Sequence, residues 1–203
     1  MTQPTIQVDQ VVFSWDLERG LMLCWGQPVV CWWIESTMAG FMAGIQRMVG
    51  TERFNLALEG AGRESTEGEW HNIILKQPSV EEGLAFIGQA SRLVGLGEWE
   101  LVELDREAQR MRFRARNSWE GMYQRAMGVS WGTASLAGKL AAYSERTLGV
   151  PCSIEQTAFI ARGDEFDEFT ATASPTTFMR RLEQVVDSDH ATRQDLADAL
   201  ARV

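Results

Sequence analysis

The sequence predicts an α+β fold: a mostly antiparallel sheet packed against several helices, with an N-terminal hairpin and helix pair and a C-terminal helical tail. Three observations predict it. Short runs of alternating apolar and polar residues are bounded by glycine-bearing turns, longer segments repeat apolar residues at helical spacing, and the elements come in the order strands, helices, strands, helix, strands. With 203 residues, 45% of them hydrophobic and 23% charged, the chain has the size and composition of one globular domain and needs no disulfide or metal to hold a core. That domain is expected to span residues 1–174, with 175–203 as the tail.

Val11 to Trp15 and Leu21 to Cys31 read as two strands joined through Asp16–Gly20, a turn whose glycine can take positive φ. From Ile34 the apolar residues Ile34, Met38, Phe41, Met42, Ile45, Met48 and Val49 recur at helical spacing. Gly50-Thr51 stops that helix and caps a second, which runs towards Arg63. Ser79, with Glu82 three residues on, forms a capping box for a third helix reaching Leu96.

Trp99 to Asp105 and Arg110 to Asn117 form the next strand pair. In the second strand Arg110, Arg112, Arg114 and Arg116 alternate with Met111, Phe113 and Ala115, so one face is core and the other is arginine. That arginine face reads as a solvated surface paired with Glu98, Glu100 and Glu103 across the strands rather than as an anion site. A helix from Thr133 to Leu148 follows, then strands Ser153 to Arg162 and Phe166 to Ala173 around Gly163-Asp164. Ser174-Pro175 leads into the tail, read as helical from Thr176 to Val203 with an interruption near Ser188.

The charge balance, 28 acids against 19 bases for a net −9, argues against nucleic acid as a partner, because that affinity rests on lysine and arginine neutralising phosphates. The N-terminal segment MTQPTIQVDQ has no basic run or apolar stretch of a secretory signal, so a cytoplasmic location is expected. Val29 to Ile45 carries a single charge, Glu35, but is shorter than the ~20 residues a membrane span needs. It reads as a buried helix, and no membrane partner is expected. Gly40 and Gly44, beside Ala39 and Ala43, give this helix a stripe of small residues suited to close packing against a neighbouring helix or a twin subunit. Its apolar surface exceeds one core-facing stripe, so a homodimer is expected through Ile34, Met38, Gly40, Phe41, Gly44 and Ile45.

No dinucleotide-binding, P-loop or zinc-protease motif is present, and the two histidines, His71 and His190, lie far apart, so no enzyme and no cofactor are expected. The acids in Gly163–Phe169 lack the spaced ligands of a calcium loop and read as a charged turn with Phe166 or Phe169 directed to the core. Cys24, Cys31 and Cys152 form no CxxC pair, which excludes a self-contained zinc knuckle.

The run Asn117-Ser118-Trp119-Glu120, then Ser130-Trp131 ahead of Ala137-Gly138, then Gly149-Val150-Pro151, then Ala161-Arg162-Gly163-Asp164 and Phe169, resembles the 4-vinyl reductase domain family over roughly residues 85 to 173. The resemblance implies a small-molecule-binding domain similar in fold to subunits of the TRAPP transport complex. The family includes the aromatic-sensing parts of phenol- and xylene-responsive regulators, as well as chlorophyll-pathway proteins for which a reductase role was proposed. Many members carry a zinc site of cysteines and an acid. Aligned on Gly163-Asp164, its positions fall on or near Ser130, Gln156, Phe159 and Asp167; a register shifted by one residue brings Glu155, with Ala158 and Phe166 or Asp167 in place of cysteines. Cys152 with one carboxylate is two ligands short of structural zinc, so no metal site is expected.

Eight tryptophans are many for this length, and Trp32-Trp33, Trp99, Trp119 and Trp131 fall at junctions between strands and helices, where tryptophan lines cavities and interfaces as well as cores. The expected ligand site is an apolar pocket between the sheet and the third and fourth long helices, those from Ser79 and from Thr133, walled by Phe86, Trp99, Phe113, Trp119, Tyr123, Trp131 and Phe159, with His71 as a candidate polar group. The sequence thus favours a non-enzymatic small-molecule-binding or sensory domain that takes a small apolar or aromatic ligand and acts in trans on an unidentified output protein. A dimeric structural or adaptor module without ligand is the alternative, and an enzyme or reductase accessory is the third reading.

Overall fold

A computed structural model describes residues 4–9 and 11–188 of the chain. The N-terminal segment is a meander of four antiparallel strands in sequential order: β1 (Thr5–Val8), β2 (Val11–Asp16), β3 (Leu21–Cys24) and β4 (Gln27–Val29). The expected hairpin is its centre, with Asp16 opposite Leu21 and Gly20 at φ +65° in the turn. The second expected strand does not continue to Cys31. Trp25 and Gly26 both take positive φ, 49° and 76°, and turn the chain back in a two-residue hairpin. A bulky aromatic at the first turn position is not a turn signal, which is why the reversal is invisible in the sequence.

A single π turn, Ile34–Met38, leads into α1 (Ala39–Val49), and Gly50 separates it from α2 (Thr51–Asn72). The second helix is longer than its apolar pattern suggested, since its last turns are acidic outside and bury only Thr66 and Trp70. α3 (Val80–Leu93) starts where the capping box predicts: Ser79 Oγ accepts the Glu82 amide at 3.1 Å.

The second sheet contains β5 (Glu98–Asp105), β6 (Arg110–Arg116), β7 (Cys152–Ala158) and β8 (Asp167–Ala173) in the spatial order β5-β6-β8-β7, antiparallel throughout. Between β6 and β7 come α4 (Trp119–Met127) and α5 (Ala134–Leu148). No helix is expected at α4 from the sequence, although it carries both end signals: Ser118 Oγ accepts the Gly121 amide, and Gly128 closes it in the left-handed region. β7 ends at Ala158, short of the expected Arg162, because the chain tightens into a 3-10 turn at Ile160–Arg162. Beyond the sheet, residues 178–188 form a further helix, α6. It docks on α2 through Phe178, whose ring lies under the Arg63 guanidinium. The rest of the expected tail lies outside the described residues.

The alternation read in β6 holds residue by residue. Met111, Phe113 and Ala115 are buried, and with Phe169 and Ala171 of β8 they form the sheet's inner face, packed against Leu84, Ile87, Leu140 and Tyr143 of the helices. Burying each of the larger residues contributes on the order of 1.5–3 kcal/mol. Phe169, not Phe166, is the core phenylalanine of the acidic turn; Phe166 is half-buried, with the Arg114 guanidinium 4.1 Å from its ring centre. On the outer face the arginines are paired, Arg110 and Arg112 with Glu103, Arg112 and Arg114 with Glu168, and Arg116 with Glu100 and Glu165. Glu98 pairs instead with Arg92 of α3.

A smaller cluster joins α1, α2 and α4 around Ala39, Met42, Phe54 and Tyr123, with Ile34, Met38 and Ile45 packed on it. These last three, expected at a dimer interface, are therefore half-buried within their own chain. Gly40, Phe41 and Gly44 face outward, and nothing lies within 4 Å of a side-chain carbon placed on either glycine. The close helix approach inside the chain occurs elsewhere. A Cβ on Gly62 of α2 would sit 2.0 Å from the Ser135 carbonyl oxygen, and one on Gly138 of α5 would sit 2.1 Å from that of Glu59.

Candidate functional site

That contact between α2 and α5 brings a polar strip to the floor of a cavity. Past Gly62, α2 presents Ser65 and Glu69; flanking Gly138, α5 presents Ser135, Leu136 and Lys139. Lys139 Nζ donates to both oxygens of Glu69, at 2.7 and 2.8 Å, and the Tyr143 hydroxyl donates to the same carboxylate. The hydroxyl's pKa is held far above its usual range, first by burial and then by Glu69, so it remains a donor.

The cavity has a volume of about 710 Å³, within the range of small-molecule sites. One wall is the end of α3 and the start of β5, with Val94, Leu96 and Trp99. Gly88 lets that strand approach, since a Cβ there would meet the Trp99 carbonyl at 2.3 Å. The Trp99 indole N–H donates to Ser91 Oγ at 3.1 Å, which satisfies its one polar atom. A second wall is the start of α4, with Ser118, Trp119 and Glu120; the roof is Val30, Cys31, Trp32, Ile34 and Met38 from the segment entering α1.

Glu120 is fully buried, and its two oxygens accept the backbone amides of Ser135 and Leu136 at 3.0 and 2.9 Å. A carboxylate from α4 thus satisfies the first turn of α5, a task left open by Thr133, whose hydroxyl has no partner. Burial pushes its pKa up to about 7, and the two amide bonds pull the other way.

The seven expected pocket residues do not meet around one space. Trp99 and Trp119 line the cavity. Phe113 is sealed in the sheet core against Trp99, with ring centres 6.3 Å apart, and half-buried Phe86 packs on the same cluster. Tyr123 is fully buried between Trp119 and Trp131 in the smaller cluster. Trp131 and Phe159 border a different recess, of about 100 Å³. β6 aims Phe113 inward as expected, but α3 and α5 close over it and fill the space with Leu84, Ile87 and Tyr143. His71 is on the solvent side of α2, 3.1 Å from Glu67, and supplies no polar group to the cavity.

Of the ionisable residues that do line it, Glu69 and Lys139 are not singled out in the sequence, and Glu120 enters there only within the run that carries the resemblance. Lys139 carried a signal, being the lone charge in the stretch Ala134–Tyr143. Glu69 sits among the many acids of α2 and carried none.

At the positions where the resemblance implies zinc, Gln156 and Asp167 do come together, as a hydrogen-bonded pair at 3.2 Å. Buried Asp167 also accepts the Ser118 hydroxyl and the Ile160 amide, while Gln156 accepts the Thr133 amide. Ser130 and Glu155 are exposed, and Phe159 and Ala158 offer no donor atom. One carboxylate already holding three hydrogen bonds does not fit zinc, and no group of three or more metal-ligating side chains occurs among the described residues. Gly128 to Gly132 has the spacing G-x-S-x-G. It joins two helices rather than a strand to a helix, so Ser130 is not on a nucleophile elbow. Among the described residues no helix is long and apolar enough to cross a membrane.

No family model matches the chain, and no curated protein matches it. Among solved structures, the chain is similar to the phenol-responsive sensory domain of the transcription activator PoxR, determined with phenol. The TM-score is 0.63 at 14% identity, over 79% of this chain and 84% of that one. At that identity the likeness is one of fold.

Proposed function

We propose that this chain is a non-enzymatic small-molecule-binding domain of the sensory type, which binds a small apolar or aromatic ligand in the cavity between α2, α3, α4 and α5. The observation that carries this reading is the cavity itself, apolar-walled, with Trp99 and Trp119 facing it and a few converging polar groups on its floor. The fold it shares with a phenol-responsive sensory domain supports the reading, as does the order of motifs resembling the 4-vinyl reductase domain family. In this proposal residues 1–174 form the ligand-binding unit in the cytoplasm, and it acts in trans on an output protein.

A second reading, a dimeric adaptor, is favoured by one specific surface. Val30, Trp33, Phe41 and Met48 are 72%, 77%, 52% and 86% exposed on the segment that includes α1, an apolar face of the kind that marks an interface. The two readings are compatible if that face transmits the state of the cavity, since Val30 belongs to both and the segment entering α1 supplies the cavity roof. Titration of the full chain with small uncharged aromatics, followed by tryptophan fluorescence and calorimetry, tests the first. Saturable binding lost in Trp119→Ala supports it; no binding to any probe removes it and leaves the adaptor.

A further inference from the structure

We propose that Glu69 sets the charge selectivity of the cavity, so that it admits uncharged ligands and turns away anions. This rests on the ligand-binding reading and adds what the ligand's chemistry must be.

The lining carries three ionisable side chains, Glu69, Glu120 and Lys139. Lys139 is the one cation among them, and it is held by both oxygens of Glu69, with the two side chains 15% and 28% exposed. Glu69 is fixed in turn by the Tyr143 hydroxyl. An acidic ligand that took the remaining N–H of Lys139 would set its charge beside the Glu69 carboxylate, a like-charge contact in a poorly solvated site, and displacing that carboxylate instead would leave a largely desolvated charge without its partner. It would also approach Glu120, whose oxygens are already occupied by backbone amides. A neutral ligand meets neither penalty. Its acceptor atom can take a remaining N–H of Lys139 while its apolar body lies against Trp99 and Trp119.

Glu69→Gln isolates the effect. It keeps the side-chain volume and an acceptor for Tyr143, but leaves Lys139 as an unneutralised ammonium at the base of an apolar cavity, a ready partner for an anionic group.

The experiment uses two fluorescent probes on one skeleton, uncharged N-phenyl-1-naphthylamine and its sulfonated counterpart 8-anilinonaphthalene-1-sulfonate, titrated at neutral pH and competed against each other. The wild-type chain is expected to bind the uncharged probe about tenfold more tightly. Glu69→Gln is expected to raise sulfonate affinity about tenfold, the fold-change one charge-assisted hydrogen bond carries, in a site from which the uncharged probe displaces it. Lys139→Gln is expected to give no such gain. Equal binding of both probes by the wild type, no gain in Glu69→Gln, or a gain in Lys139→Gln overturns the proposal. If Glu69→Gln does not fold, the wild-type ratio and Lys139→Gln decide. If the wild type takes neither probe, the ligand-binding reading falls first and this inference with it.

Discussion

Gly138 of α5 lies against the backbone carbonyl of Glu59 on α2 so closely that a single added carbon would stand 2.1 Å from the oxygen. The contact sets how near the two helices run, and with it the position of Lys139 opposite Glu69 on the cavity floor.

Gly138→Ala should therefore separate the helices and destabilise the fold by about 3 kcal/mol or more, at the upper end of overpacking effects. Gly44→Ala, on an exposed stretch of helix with open space around it, should instead be neutral or stabilising by ~0.5–1 kcal/mol through helix propensity. Chemical denaturation of both variants measures the contrast. Gly44→Leu is expected to weaken the proposed homodimer, read by sedimentation at a concentration on the order of tens of micromolar; a wild-type monomer there would rule the dimer out.

Trp119 is half-buried and lines the cavity, whereas Phe113 is completely buried in the sheet core. Trp119→Ala is expected to cost about 1–2 kcal/mol of stability and to abolish probe binding. Phe113→Ala should cost about 3–5 kcal/mol. Equal losses of stability would place Trp119 in the core and not at a binding wall.

Burial raises the pKa of Glu120 to about 7 and also raises that of Asp167. A carboxyl whose folded pKa lies above its unfolded one holds its proton more tightly in the folded state. Its contribution is fully present below the unfolded value, near pH 4.5, and is lost as pH rises through about 7. Stability should accordingly fall over that interval, and Glu120→Gln should flatten the slope, leaving the smaller part due to Asp167. Urea midpoints measured across the interval check this.

Cys31 is exposed at the roof of the cavity, while Cys24 and Cys152 are buried, and burial pushes the Cys152 thiol up to about 11. Alkylation of the native chain should modify Cys31 first, and a ligand in the cavity should slow it. Peptide mapping by mass spectrometry, with and without the uncharged probe, reads both effects.

Asp167, engaged by Ser118, Gln156 and Ile160, stands where the resemblance implies a metal ligand. The purified protein should contain no stoichiometric zinc, and a chelator should leave its melting temperature unchanged. One zinc per chain after dialysis, by elemental analysis, would overturn this.

By itself the sequence determined the features that local chemistry dictates. These are the α+β class, the inward row Met111, Phe113 and Ala115, the helix start at Ser79, and the loss of cysteines from the implied zinc positions. Each follows from period, cap geometry or donor type within a few residues. Only the tertiary structure decided where a cavity could exist. Alternation tells which face of β6 is buried but not what fills the space above it, and so Phe113 went into a packed core while Trp119 came to face an opening. Glu69 and Lys139 are 70 residues apart, and they meet because two glycines on different helices permit contact at the backbone. A long-range pairing of that kind leaves no trace in the spacing around either residue, because each helix would form with the same pattern whatever it packed against.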